Sequence, residues 1–239
     1  MPASDEFGVG RIAAVRAQVA SAAVRAGRTP ESVRIVAVTK TLPPTAVALA
    51  VAAGLSDVGE NYVQEARAKR AACSVAASWH LIGGLQRNKV RPAVATFDRI
   101  HTLDSAPLAS ALGREAAAAG RRLPVLVQVK SSGPETQRGV PPEAVRGLVE
   151  AALAEPGLAV DGLMTIAPAG APLEAIRAHF RDLRRLRDHV AVGLGVELPH
   201  LSMGMSDDFS LAVEEGATIV RLGRVLFGPR GSGSWREGS

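Results

Sequence analysis

The sequence predicts an α/β protein folded as a closed (β/α)8 TIM barrel with an extra N-terminal helix, and three observations lead there. Eight short apolar, β-branched segments recur along the 239 residues, and a longer alanine-rich helical pattern follows nearly every one. The turn after the first segment, "KTLPP", lacks the glycine-rich signature that an open dinucleotide-binding sheet carries there. Strands separated by helices pair in parallel, and eight such units close into a barrel more readily than they form an open sheet.

The elements follow in order. The initial helix sets Ile12, Val15 and Val19 on one side and stops near Gly27, a residue suited to the position after a helix end. Strands are expected at 35–39, 57–59, 79–82, 99–102, 125–129, 162–165, 200–202 and 218–222. Helical patterns start near Pro44, Tyr62, Gln86, Ser105, Pro141, Leu173 and Ser206; Pro44 and Pro141 suit first-turn positions, where a missing N–H costs nothing. Residues 1–230 are expected to form a single barrel domain, because no stretch within them reads as a linker or a repeat. The end, "GSGSWREGS" at 231–239, reads as a disordered tail that holds Trp235, whereas Trp79 is expected to pack in the barrel.

Composition narrows the function. Hydrophobic residues at 47% and charged residues at 21% describe a soluble globular protein. A single cysteine, Cys73, excludes an internal disulfide framework and fits a reducing compartment. The start, "MPASDEFGVG", lacks the basic and apolar regions of a secretory signal, and no apolar run reaches membrane-spanning length, so a cytoplasmic protein without a membrane partner is expected. The formal net charge of +5 raises nucleic-acid binding, with "IRAHFRDLRRLRDHV" as the basic cluster. There Ile176, Phe180, Leu183, Leu186 and Val190 fall on one helical stripe, turning most arginines to solvent, and no aromatic residues interleave to stack on bases. Nucleic acid is therefore not an expected partner. His80, His101 and His200 lie in or beside strands but not at metal-ligand spacing, which makes them satisfied core or rim histidines.

In such a barrel the working residues stand at the C-terminal ends of the strands. Among four lysines, Lys40 ends the first strand segment, "RIVAVTK". At an apolar mouth its amine loses a proton more easily than in water and becomes available to condense with an aldehyde; the plain alternative is that Lys40 opens a solvated loop. Lys130 competes, since "VLVQVK" also ends a strand in lysine, while Lys69 and Lys89 sit in helical patterns that favour solvent. The second constellation is "LSMGMS" after the seventh strand and "TIVRLGRVLFG" at the eighth. Ser206 is placed to cap a helix carrying Asp207 and Asp208, and Gly223 starts a short segment whose backbone N–H groups can face an anion. An amine opposite an anion cradle fits a ligand with both an aldehyde and a phosphate, as in pyridoxal 5′-phosphate (PLP).

"VAVTK", "VGENYVQEA", "WHLIGGLQRNKV", "DGLMTIAP" and "LSMGMSDDFSLAVEEGATIVRLGRVLFG" closely resemble the pyridoxal-phosphate homeostasis proteins, single-domain relatives of the alanine racemase barrel, over about residues 34–230. The resemblance implies a PLP fold type III-like barrel in which Lys40 forms the internal aldimine and Asn61 lies beside the cofactor. It further implies that Ser206, Gly223 and the backbone of Arg224 hold the phosphate, and that Arg221 approaches the pyridine nitrogen. No catalytic residue is assigned. A guanidinium there cannot accept a proton, so the ring remains a weak electron sink. The implied role is binding, buffering and delivery of PLP in the cell, influencing amino-acid and keto-acid balance, with apo PLP-dependent enzymes as recipients and the protein acting as a monomer. Little or no turnover is implied; the enzyme alternative is a weak racemase-like activity, poorly served because the one tyrosine, Tyr62, neighbours Asn61 in the early loops. Three positions depart from the family pattern. Arg224 replaces a common threonine and would either strengthen the site or point outward; Lys130 replaces a usual asparagine; Gly84 replaces a larger side chain, which would open the pocket.

Overall fold

A computed structural model describes residues 3–130 and 138–229, with side chains described from residue 10. Eight parallel strands close on themselves in sequence order: β1 (Arg34–Val38), β2 (Asp57–Glu60), β3 (Ser78–Leu81), β4 (Arg99–Leu103), β5 (Leu123–Gln128), β6 (Leu158–Met164), β7 (His200–Ser202) and β8 (Ile219–Leu222). The closing seam sets Ile35 beside Val220 and Ala37 beside Leu222. The barrel expected from the alternation is thus the fold the chain adopts.

The outer layer comprises α1 (Ala3–Arg25), α2 (Pro44–Ala52), α3 (Val63–Ala72), α4 (Val90–Thr96), α5 (Ala106–Ala118), α6 (Val145–Leu153), α7 (Leu173–Leu194), α8 (Phe209–Glu214) and α9 (Arg224–Phe227). On α1, Ile12, Val15 and Val19 are buried where the helix packs on α8 and α9 beside the seam, and Gly27 takes the left-handed φ of 68° just beyond its end. The stripe on α7 buries Ile176, Phe180, Leu183 and Val190, with Leu186 partly buried; of its arginines only Arg185 is exposed, while Arg177, Arg181 and Arg184 pair with Glu215 at the end of α8.

Several boundaries differ from expectation. β6 begins at Leu158, because Asp161 forms a bulge opposite β5 and Gly162, at φ 152°, carries the strand on. A Cβ at Gly162 would sit 1.9 Å from the His200 carbonyl oxygen, so only glycine permits that approach. Gln86 and Pro141 precede short 3-10 turns, and α4 and α6 begin only at Val90 and Val145. Trp79 is buried, but in the layer between sheet and helices: its neighbour His80 points into the barrel, and successive strand residues face opposite sides. The expected tail, 231–239, lies outside the described residues.

The barrel interior divides in two. Val36, Leu126, Met164 and Ile219 form a small apolar cluster from β1, β5, β6 and β8. Buried polar side chains from β2, β3, β4 and β7 occupy the other side, and Arg34–Asp57 and Arg99–Asp161 ion pairs stand at the N-terminal end.

Candidate functional site

Loops at the C-terminal ends of β1, β2, β7 and β8 make one mouth. Lys40 stands two residues past β1 and is half-buried. Asn61 directly follows β2, and the Gly83 backbone packs so tightly on it that a Cβ would lie 2.3 Å from the Asn61 carbonyl oxygen. Across the seam, Gly223 directly follows β8 and precedes the first turn of α9. β8 pairs with β1, so Lys40 and Gly223 leave adjacent strands on the same face of the barrel.

Ser206 does not cap the helix after it. α8 starts at Phe209, and Asp208 precedes it, its carboxylate accepting the Met205 N–H at 2.6 Å while burial pushes its pKa up. The Ser206 hydroxyl instead accepts the Val225 N–H at 3.3 Å, which draws it to the N-terminal turn of α9, where backbone donors lack intrahelical partners. Ser206 and Gly223 therefore share one corner. The Arg224 side chain is 60% exposed and pairs with Asp207, so it points outward.

Arg221 lies deeper and is almost wholly buried; it donates to Ser202 Oγ at 2.6 Å and to the Thr165 carbonyl at 2.8 Å. Burial lowers its pKa to about 10, which still leaves the guanidinium charged at neutral pH.

Lys69 corrects the solvent-facing expectation, for it is fully buried. Its Nζ donates to the Thr39 carbonyl at 2.6 Å, to Glu60 Oε1 at 2.8 Å and to Glu65 Oε1 at 2.7 Å. The same carboxylates hold the residues either side of Lys40: Thr39 Oγ1 donates to Glu60, and the Thr41 N–H donates to Glu65. Thr41 has a φ of 64°, the one left-handed non-glycine conformation among the described residues, so the clamp supports a strained turn. Burial raises the Glu60 pKa despite Lys69, and Glu60 Oε2 has no hydrogen-bond partner among the described residues. The spacing of Glu65 and Lys69, four residues apart on α3, was the available signal for this cluster.

Lys130 lines a cleft with Val129, Pro142, Glu143, His179 and Asp182, between the barrel and α7. Gly84 is exposed and lines a pocket with Asn61, Gly83 and Arg138, where an added Cβ would meet the Arg138 side chain, its Nε at 2.5 Å.

The family model of the alanine racemase N-terminal domain matches residues 11–231. A protein of Aquifex aeolicus named pyridoxal phosphate homeostasis protein is 42% identical over 221 residues, covering 92% of this chain and 97% of its own. One of the same name from Pseudomonas aeruginosa is 43% identical over 224 residues, covering 93% and 96%. The solved structure of PipY from Synechococcus elongatus with PLP bound superposes with a TM-score of 0.83 at 38% identity, covering 92% of this chain and 100% of that one. Alanine racemase of Clostridium difficile shares the fold at a TM-score of 0.73 and 14% identity, with 98% of this chain matching 62% of that chain.

Proposed function

The chain belongs to the pyridoxal phosphate homeostasis family of alanine racemase N-terminal barrels, and from that premise we propose that it binds PLP at the C-terminal mouth and serves to hold and release the cofactor. The observation that carries this reading is the shared mouth: Lys40 past β1, and the corner of Ser206 and Gly223 past β7 and β8, on adjacent strands with Arg221 buried between. The donor set fits the group: an amine for an aldehyde, a hydroxyl and backbone N–H groups for a phosphate, and a charged guanidinium for a ring nitrogen. Lys40, Asn61, Arg221, Ser206, Gly223 and the backbone of Arg224 would hold it.

PLP supplies an electrophilic aldehyde and an electron-withdrawing ring. The chain's own residues restrain that chemistry. Arg221 has no site for a proton and places none on the ring nitrogen, which keeps the electron sink weak. The one tyrosine, Tyr62, is 62% exposed beside the start of α3, a poor setting for a second acid–base group. Storage and release, with little or no turnover, is the role these groups support, and racemisation by the loaded protein is expected to be slow or absent. The reading extends to a cytoplasmic monomer that passes PLP to apo-enzymes. No helix among the described residues is long and apolar enough to cross a membrane.

Borohydride reduction of the PLP-loaded protein, followed by peptide mass mapping, tests the site. A phosphopyridoxyl group on Lys40 is expected, and Lys40→Ala should stay colourless. Modification of Lys130 instead would overturn the assignment.

A further inference from the structure

Five buried or nearly buried side chains from five strands form one hydrogen-bonded column through the polar half of the barrel. Asp57 Oδ1 meets His80 Nε2 at 2.9 Å, His80 Nδ1 meets His101 Nε2 at 2.9 Å, and His101 Nδ1 meets Ser202 Oγ at 2.9 Å. Ser202 Oγ then accepts Arg221 at 2.6 Å. His80, His101 and Ser202 are wholly buried, and the Asp57 side chain is only 14% exposed. Asp57 opens β2 at the N-terminal end of the barrel, whereas Arg221 lies one residue before the end of β8, below Gly223. Asp57 and Arg221 are both register partners of Val36 on β1, so the column crosses the barrel interior between two strands that flank β1.

The chemistry at its two ends sets its direction. A guanidinium only donates, and an ionised carboxylate only accepts. Asp57 is held below the ordinary carboxylate range by hydrogen bonding to His80 and by the neighbouring Arg34, which outweigh burial. Burial disfavours the charged form of both histidines, and His101 is pushed lowest, with the nearby Arg221 charge adding to the effect. With both rings neutral, His80 must give its Nε2–H to Asp57 and accept at Nδ1; His101 must then give its Nε2–H to His80 and accept at Nδ1. Ser202 O–H completes the run by donating to His101, which leaves its oxygen to accept Arg221. Each proton points toward Asp57. Reversing one ring would set two donors or two acceptors face to face, and an unpaired buried group costs roughly 1–3 kcal/mol.

We propose that Asp57, His80, His101 and Ser202 are positioning residues for Arg221: a one-way column that fixes the guanidinium in place and sets, from its opposite end, how strongly the guanidinium engages the cofactor ring. The second half of this statement rests on the PLP reading above; the column itself does not.

Nitrogen-15 NMR of the apo-protein tests the column directly. Both rings should be neutral Nε2–H tautomers at neutral pH, and an imidazolium or an Nδ1–H tautomer at either ring would overturn the proposal. The influence on the mouth is tested with His101→Leu, which breaks the run, and His101→Gln, whose amide can accept from Ser202 and donate to His80. The leucine variant should bind PLP roughly tenfold more weakly with a shifted absorption band, as other losses of an orienting hydrogen bond do, and the glutamine variant should recover both. Wild-type affinity and spectrum in His101→Leu would overturn the proposal. If the leucine variant fails to fold, Asp57→Asn reads the same coupling, as a band shift from a residue remote from the mouth; an unshifted band there would overturn it. Wild-type protein that takes up no PLP would defeat the cofactor reading alone, and the tautomers would still decide the column.

Discussion

Replacing Lys69 by methionine removes a buried charge shared by two carboxylates while keeping most of the side-chain volume. The wild-type Nζ makes three bonds between 2.6 and 2.8 Å, and neither Lys69 nor Glu60 has side-chain exposure. Removing one partner of such a group leaves uncompensated buried charge, which costs about 3–5 kcal/mol. Ordinary domain stability is about 5–15 kcal/mol, so the loss is large. For a chain of this size it corresponds to a fall in Tm on the order of 10 °C. Urea unfolding at neutral pH should show a lower midpoint with an unchanged slope, as expected when stability changes and denatured-state compactness does not. Burial already raises the Glu60 pKa, and without Lys69 it should rise further. A raised carboxyl pKa stabilises the fold below the unfolded value and loses that contribution as pH rises through the folded value, so the deficit should shrink toward acid pH. Adding Glu60→Gln and Glu65→Gln should recover part of the loss, since the uncompensated charges go with it. The clamp also holds Thr39 and Thr41, so PLP affinity should fall in Lys69→Met even where the protein is folded. A loss of stability below about 1 kcal/mol would refute this account of the clamp.

Acid should expose the buried histidine column. Burial lowers the His101 pKa well below 6.5, so the unfolded chain takes up a proton there that the folded chain does not, and stability falls as pH drops below that value. The stability difference between wild type and His101→Gln should therefore decrease by about 1.4 kcal/mol per pH unit below pH 6.5, until the folded ring titrates; a difference that stays flat from pH 7 to pH 5 would contradict it. At the mouth, Gly83→Ala would press a Cβ against Asn61 backbone. PLP affinity should fall on the order of tenfold as that loop shifts, and titration of the variant at wild-type affinity would show that Asn61 placement does not matter.

The fold was legible because its signals are local. Strand alternation, the stripe of α7 and the placing of Gly27 each depend on residues a few positions apart, and the barrel follows from their count. The position of Lys40, just past the end of β1 where barrels place chemistry, was legible for the same reason. Ser206 was read toward the wrong helix: its local pattern, a serine before two aspartates, describes a cap, but its hydroxyl meets Val225 from the next strand–helix unit.

From the sequence alone came the number and order of the strands, the buried faces of α1 and α7, and the place of Lys40 just past β1. Tertiary structure alone decided which polar groups satisfy one another. Lys69 looks like helix surface until barrel closure places the end of β2 and the turn after β1 against it, and the histidines look like isolated core residues until five strands bring Asp57, His80, His101, Ser202 and Arg221 into line. The physical reason is that apolar burial is non-directional and can be read from periodicity, whereas a buried charge or ring nitrogen needs a particular partner at about 3 Å, and that partner can come from anywhere in the chain.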